Sequence, residues 1–346
     1  MPHGERACYK SGMSKFNFLR LASILLPAAL AAQLVPAATA ARAQAPEAHY
    51  RAFDSKGRPV KLEEVVAALE HADVLFIGET HNDAVAHLLE AELLRRADES
   101  FGPSSQRRRP VALSLEMFER DVQTVVDEYT GGLIQERHFL ASSRPWNNYQ
   151  TDYRPLVEYA REHHLPVIAA NAPARYVSRV SGSGPDSLRE LSPTARAWLP
   201  PLPFPQASEA YAAKFRQAMG GAPGGASQST QPGRALPSQQ AAGQQANPHG
   251  GAHLLEAQTL RDASMAYSIA DFLKHRRDAL VVEVNGTFHS EQRLGVPEQL
   301  LHYRPKARSV VVTILPDEGF PNFDAARLGA LGDFVIITDP SLPRSS

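Results

Sequence analysis

Two short motifs share one arrangement: an apolar run, a glycine, two residues, then a histidine. The first is Gly78-Glu79-Thr80-His81, followed by Asn82 and Asp83. The second is Gly286-Thr287-Phe288-His289, after Val281-Val282-Glu283-Val284-Asn285. A third apolar run, Leu113-Ser114-Leu115-Glu116-Met117-Phe118, carries a glutamate. Two histidines and carboxylates at one sheet edge can bind a divalent metal ion or move protons as general acid and base. The candidate catalytic set is Glu79, His81, Glu116 and His289, and the candidate metal ligands are His81, Glu116 and His289. Each piece alone has an ordinary explanation. G-x-x-H arises by chance, His81 can cap a following helix (Asn82 or Asp83 is the better cap), and Glu116 can be a satisfied strand-end carboxylate. The signal is the coincidence of all three at strand ends, where a glycine lets the chain turn and the histidine project over the edge.

A second constellation is aromatic: Trp146-Asn147-Asn148-Tyr149-Gln150-Thr151-Asp152-Tyr153-Arg154-Pro155. Tyr149 and Tyr153, four apart, can share a helical face. They either pack between elements or line a site for a flat ligand. A phenolate is one of the axial ligands of ferric haem. Arg154 beside them favours the phenolate, since a positive charge lowers a tyrosine pKa.

These residues need a frame that brings strand ends together. Ala72–Ile77, Val111–Met117, Pro166–Ala170, Ala279–Val284, Val310–Leu315 and Phe334–Ile337 read as strands. Leu62–Glu70, Ala84–Arg96 and Leu156–His163 read as helices. Strands separated by helical patterns predict an α/β fold, a mainly parallel β-sheet flanked by helices, and ligands in such sheets gather beyond the carboxyl ends of the strands. Asp121–Ala141, Pro193–Trp198, Ser208–Met219 and His253–Lys274 look helical. The absence of a strand pattern across residues 172–278 predicts a smaller helical subdomain inserted in the domain of residues 46–346. Within it, residues 220–251 are Gly, Ala, Pro, Ser and Gln with almost no apolar bulk, which predicts a disordered loop.

Lys10, Lys15 and Arg20, the apolar stretch Leu21–Pro36 and Ala41-Arg42-Ala43 have the order of a secretory signal peptide over residues 1–43, cleaved near Ala43. The expected location is the periplasm or the exterior, with no transmembrane segment in the mature chain. Cys8 is the single cysteine and precedes the apolar stretch. The mature chain therefore has no lipoprotein cysteine and no disulfide. A net charge of −1 gives no reason to expect nucleic acid as a partner.

Together and in this order, V-L-F-I-G-E-T-H-N, S-L-E-M-F, W-N-N-Y-Q-T-D-Y-R-P-L-V-E-Y-A, P-V-I-A-A-N-A-P, A-Q-T-L-R-D-A-S-M-A and V-N-G-T-F-H resemble the ChaN-like haem-binding family, within the wider Tiki/erythromycin-esterase-like superfamily. The resemblance covers about Val74 to Leu315. It implies a parallel-sheet domain with a smaller helical one, haem held by a tyrosine at a homodimer interface, and work with the haem or iron uptake proteins of the cell envelope. The candidate haem-binding residues are Tyr149, Tyr153 and Arg154, with Tyr149 preferred as the ligand. In the superfamily the paired G-x-x-H motifs and the glutamate accompany metal-dependent hydrolysis, so the resemblance also implies a hydrolase with a divalent metal ion as its alternative. A third reading is a binding module that keeps these motifs for scaffold reasons. The chain departs from lipoprotein relatives in lacking the cysteine, and it adds the Gly/Gln-rich insert.

Overall fold

The apolar runs become the strands of one mixed sheet. The structure is a computed structural model, described here for residues 47–220 and 252–345. The expected signal peptide and residues 221–251 of the low-complexity stretch lie outside the described residues. The strands are β1 (Tyr50–Asp54), β2 (Pro59–Val60), β3 (Val74–Glu79), β4 (Val111–Glu119), β5 (Val167–Asn171), β6 (Leu280–Gly286), β7 (Ser309–Pro316) and β8 (Phe334–Thr338). Their order is β2-β1-β8-β7-β3-β6-β4-β5. From β8 to β5 every pairing is parallel, whereas β1 is antiparallel to both β8 and β2.

Parallel strands covered on both faces are apolar on both faces. On one side Leu75, Ile77, Leu113, Leu115, Val282 and Val284 pack with Leu89 and Leu93 of the helix Ala84–Phe101 and Leu156 of the helix Arg154–Glu162. On the other, Val74, Phe76, Ala112 and Val281 meet Met265, Ile269 and Leu273 of the helix Leu254–His275, and Val296 and Leu300 of the helix Val296–Tyr303. Between Asn171 and Leu280 the described residues contain helices and no strand. No helix among the described residues is long and apolar enough to cross a membrane.

Two local expectations need correction. The edge hairpin β1–β2 was not expected, because five- and two-residue strands are too short to show a period. Its turn is held by Asp54 Oδ1, which accepts from the backbone N–H groups of Lys56 (3.0 Å) and Arg58 (2.9 Å), with Gly57 at φ 82°. The helical stretch 121–141 is two helices, Gln123–Thr130 and Glu136–Ser143. Gly131-Gly132 divides them, the second at φ 73°, where a side chain is disfavoured.

The strand order and register build the site. The three runs singled out for their chemistry, β3, β6 and β4, are immediate neighbours. Gly78 pairs with Asn285 and Glu79 with Gly286, while Leu115 pairs with Val284. The β4–β5 register shifts between Leu115 and Glu119, so Glu116 leaves the regular ladder just where β6 ends. Asp83 caps the next helix, its Oδ1 accepting from Val85 N–H at 3.0 Å and Ala86 N–H at 3.3 Å.

Candidate functional site at the carboxyl edge of the sheet

The two G-x-x-H motifs interlock. A Cβ on Gly286 would lie 2.8 Å from His81 Cε1 and 2.9 Å from His81 Nε2, and 3.7 Å from Glu116 Oε2. A Cβ on Gly78 would lie 2.7 Å from Ser290 Oγ and 3.1 Å from Thr287 Cα. Each glycine therefore clears the path of the other motif. The expected reason, a sharp turn, is corrected: both glycines sit inside strands, and Gly286 has φ −59°, ψ 143°, which most residues adopt. What these positions require is missing volume.

The histidines are held alike. His81 Nδ1 lies 2.5 Å from Glu79 Oε1, and its Cε1–Nε2 edge lies against Gly286 on the side of Glu116. His289 Nδ1 lies 2.5 Å from Asp262 Oδ1, and its Nε2 lies 3.3 Å from Glu116 Oε1. The Gln258 amide is 3.1 Å from the same Nε2. Glu116 Oε2 also accepts from the Gly286 N–H at 2.8 Å. A buried carboxylate thus anchors one nitrogen of each ring; the other nitrogen of His289 faces Glu116, and that of His81 lies against Gly286, whose N–H bonds to Glu116. Fixing the second nitrogen in this way orients a histidine that serves as metal ligand or proton carrier.

Charge follows from this pairing. Burial would push His289 down, but Glu116 and Asp262 outweigh it and hold it up to about 10. Burial likewise opposes ionisation of Glu116, yet His289, His81 and the Gly286 N–H bring its carboxyl down to about 2. His81 is raised: burial lowers it, and Glu79 and Glu116 together prevail. Glu283, in the middle of β6, is pushed up to about 8 by burial, so it is mostly neutral at pH 7 and adds little charge to this edge. Removing one partner of such a buried pair costs about 3–5 kcal/mol.

Both walls of the site come from outside the sheet. The helix Leu254–His275 supplies Asp262 and Gln258. The Tyr211 hydroxyl donates to Asp262, and Lys214 Nζ donates to the carbonyl of Phe288 at 2.8 Å, tying the helix Glu209–Ala218 to the His289 loop. Arg261 donates to Asn171 Oδ1 (3.3 Å), whose amide donates to the Glu116 carbonyl (3.1 Å). On the other wall Trp146 meets His81 edge to face at 4.8 Å and Tyr153 at 5.8 Å. Tyr153 donates to Glu79 Oε1 at 3.0 Å.

Glu79, His81, Glu116 and His289 are therefore together, whereas the tyrosine segment is arranged otherwise than expected. Tyr149–Tyr153 form a single π-helical turn, and its two tyrosines enter different surroundings. Tyr149 packs against Phe118 and Phe139, and its hydroxyl is buried without a hydrogen-bond partner. Tyr153 faces the strand edge instead. Arg154 is engaged by Glu136, Nε–Oε1 2.6 Å and Nη2–Oε2 3.1 Å. Its pull on Tyr149 loses to burial and to the negative groups Glu158 and Glu136, so the phenol is raised above its usual value, not lowered. Tyr153 is also raised well above its usual value, by burial, Glu79 and Glu90. Residues absent from the sequence-based site include Asp262, Gln258 and Arg261, all within A-Q-T-L-R-D. His87 and Glu90 are also absent. They were legible only as polar residues three apart amid the buried Val85, Ala86 and Leu89.

A family model described as haem-binding uptake, Tiki superfamily, ChaN matches residues 65–300. The chain belongs to this family. The solved structure reporting cofacial haem binding to ChaN of Campylobacter jejuni superposes with a TM-score of 0.54 at 14% identity, covering 85% of this chain and 98% of that one. An erythromycin esterase mutant in its open conformation gives 0.46 at 11% identity, over 86% and 98%. No curated protein sequence matches the chain. This ChaN-family chain thus spans nearly the whole length of both solved chains, and the sheet edge described above lies inside the matched residues.

If Gly286 is there to clear His81, Gly286→Ala should destabilise the protein by about 1–3 kcal/mol in urea unfolding. Adding His81→Ala should then recover most of that loss, as coupled neighbours do. Additive losses would show that the glycine serves another purpose.

Proposed function

We propose that the protein is an exported haem-binding protein that serves haem or iron acquisition at the cell envelope, holds haem iron through a tyrosine, and works as a homodimer with uptake proteins. Membership of a haem-binding uptake family over residues 65–300 carries this reading. In the proposal residues 172–278 act as a helical subdomain covering the site. Of the two candidate ligands, Tyr153 is the better supported, a change from the preference for Tyr149. Its ring contacts the partly exposed Trp146 and its hydroxyl lies on Glu79, whereas Tyr149 faces the aromatic core. Both tyrosines are at most 2% exposed. The described arrangement therefore does not fit haem without an opening of the turn around Trp146.

Titration of the mature protein with haemin should give a saturable Soret shift with a high-spin ferric spectrum, lost in Tyr153→Phe and kept in Tyr149→Phe. Loss in Tyr149→Phe alone would reassign the ligand, and a flat titration of the wild type would remove the reading.

A second reading, a metal-dependent hydrolase, is favoured by one observation. His81 and His289 are each anchored at Nδ1 by a buried carboxylate, and Glu116 lies against the free nitrogen of His289. That donor set suits a divalent ion at His81, Glu116 and His289, whose chemistry when bound is to activate water toward an ester or amide. Glu79 and Asp262 would hold the rings in place. Ester or amide hydrolysis that needs an added divalent ion and falls at least about a hundredfold in His289→Ala and Glu116→Gln supports it. No turnover across a broad ester and amide panel with any first-row divalent ion would remove it.

A further inference from the structure

We propose that Glu79, His87 and Glu90 form a second, fully buried site for a divalent first-row transition cation of the zinc or manganese class, behind the strand-edge histidines. One ligand atom from each of these residues lies within 4.8 Å of the others. Glu79 and Glu90 are fully buried, and His87 is 5% exposed. Two oxygens there have no hydrogen-bond partner, Glu79 Oε2 and Glu90 Oε1. An unmet carboxylate oxygen with no access to water is costly, and two of them in one cluster call for a positively charged occupant.

The other atoms of the cluster are committed in the way a metal site needs. Glu79 Oε1 is taken by His81 Nδ1 at 2.5 Å and by the Tyr153 hydroxyl at 3.0 Å, which leaves Oε2. His87 Nε2 lies 3.3 Å from Asp152 Oδ2 and 3.2 Å from the His81 carbonyl. Asn148 in turn donates to that Asp152 oxygen (2.7 Å) and to the same carbonyl (3.0 Å). A carboxylate on the far nitrogen of a histidine fixes its ring and strengthens the near nitrogen as a ligand. His87 Nδ1 faces Glu90 Oε2 at 3.2 Å, room that a cation between the residues would use. One imidazole and two carboxylates neutralise a divalent charge and suit zinc or manganese better than the oxygen-only preference of calcium. This site shares Glu79 with the strand edge but rests on neither the haem nor the hydrolase reading.

The test uses the mature protein stripped by a chelator and dialysed against zinc alone and manganese alone, with bound metal measured per chain. Expected is a tight ion that Glu90→Gln removes, that Asp152→Asn weakens about 10–100-fold, and that His289→Asn leaves in place. Circular dichroism checks the fold of each variant. Should Glu90→Gln not fold, Asp152→Asn, which touches no ion, carries the comparison. Absence of a tight ion in the wild type would overturn the proposal. So would an ion that His289→Asn removes while Glu90→Gln and Asp152→Asn retain it; the cluster would then hold protons alone.

Discussion

Strands β3 and β6 run side by side to their last residues because neither carries a side chain where the other's loop crosses. Gly78 admits the turn through Thr287 and Ser290, and Gly286 admits the His81 ring. A methyl group at either place would meet an atom at under 3 Å. This mutual clearance lets each motif's loop pack against the other strand, and the parallel register supplies the rest. With Glu79 opposite Gly286 and Glu116 released from its ladder by the β4–β5 shift, carboxylates and imidazoles are left facing each other out of water. The pairing of charges there is a consequence of that crowding. Groups so close and so dry must neutralise one another.

The two walls of the edge have different origins, and this bears on how ligands could enter. The His289 wall is built by helices that follow β5, through Asp262, Gln258, Tyr211 and Lys214, and these tie the loop to a well-packed layer. The His81 wall is one π-helical turn and Trp146. Irregular turns of this kind recur where side chains must be aimed at a site. The proposed entry of haem needs this wall to open.

The fold was legible in the sequence because six apolar runs alternate with helical periods, and both signals survive burial on both faces. Strand ends moved by one or two residues, as at β3, where Gly78 and Glu79 continue the strand. The hairpin of β1 and β2 left no period to read. The strand-end set Glu79, His81, Glu116 and His289 was legible from position alone. Its supporting carboxylates were not. Asp262 sits mid-helix, with nothing in its spacing to tell it from a solvated residue, and only the packing of that helix over β6 turns it onto His289. The tyrosine segment misled for a related reason. Four-residue spacing suggested one shared surface, but Tyr149 packs into Phe118 and Phe139 while Tyr153 meets Trp146 and Glu79. The proximity of Arg154 in sequence counted for less than the Glu136 it meets in space.

The account stands on the claim that Glu116 and Asp262 clasp His289 between them. The most direct measurement is a pH titration of the histidine side-chain nitrogens by NMR in the mature protein, with His289→Asn to assign the resonances. The account predicts that His289 stays doubly protonated through neutral pH and titrates near 10. A midpoint near the ordinary 6.5, or a neutral ring at pH 7, would contradict it.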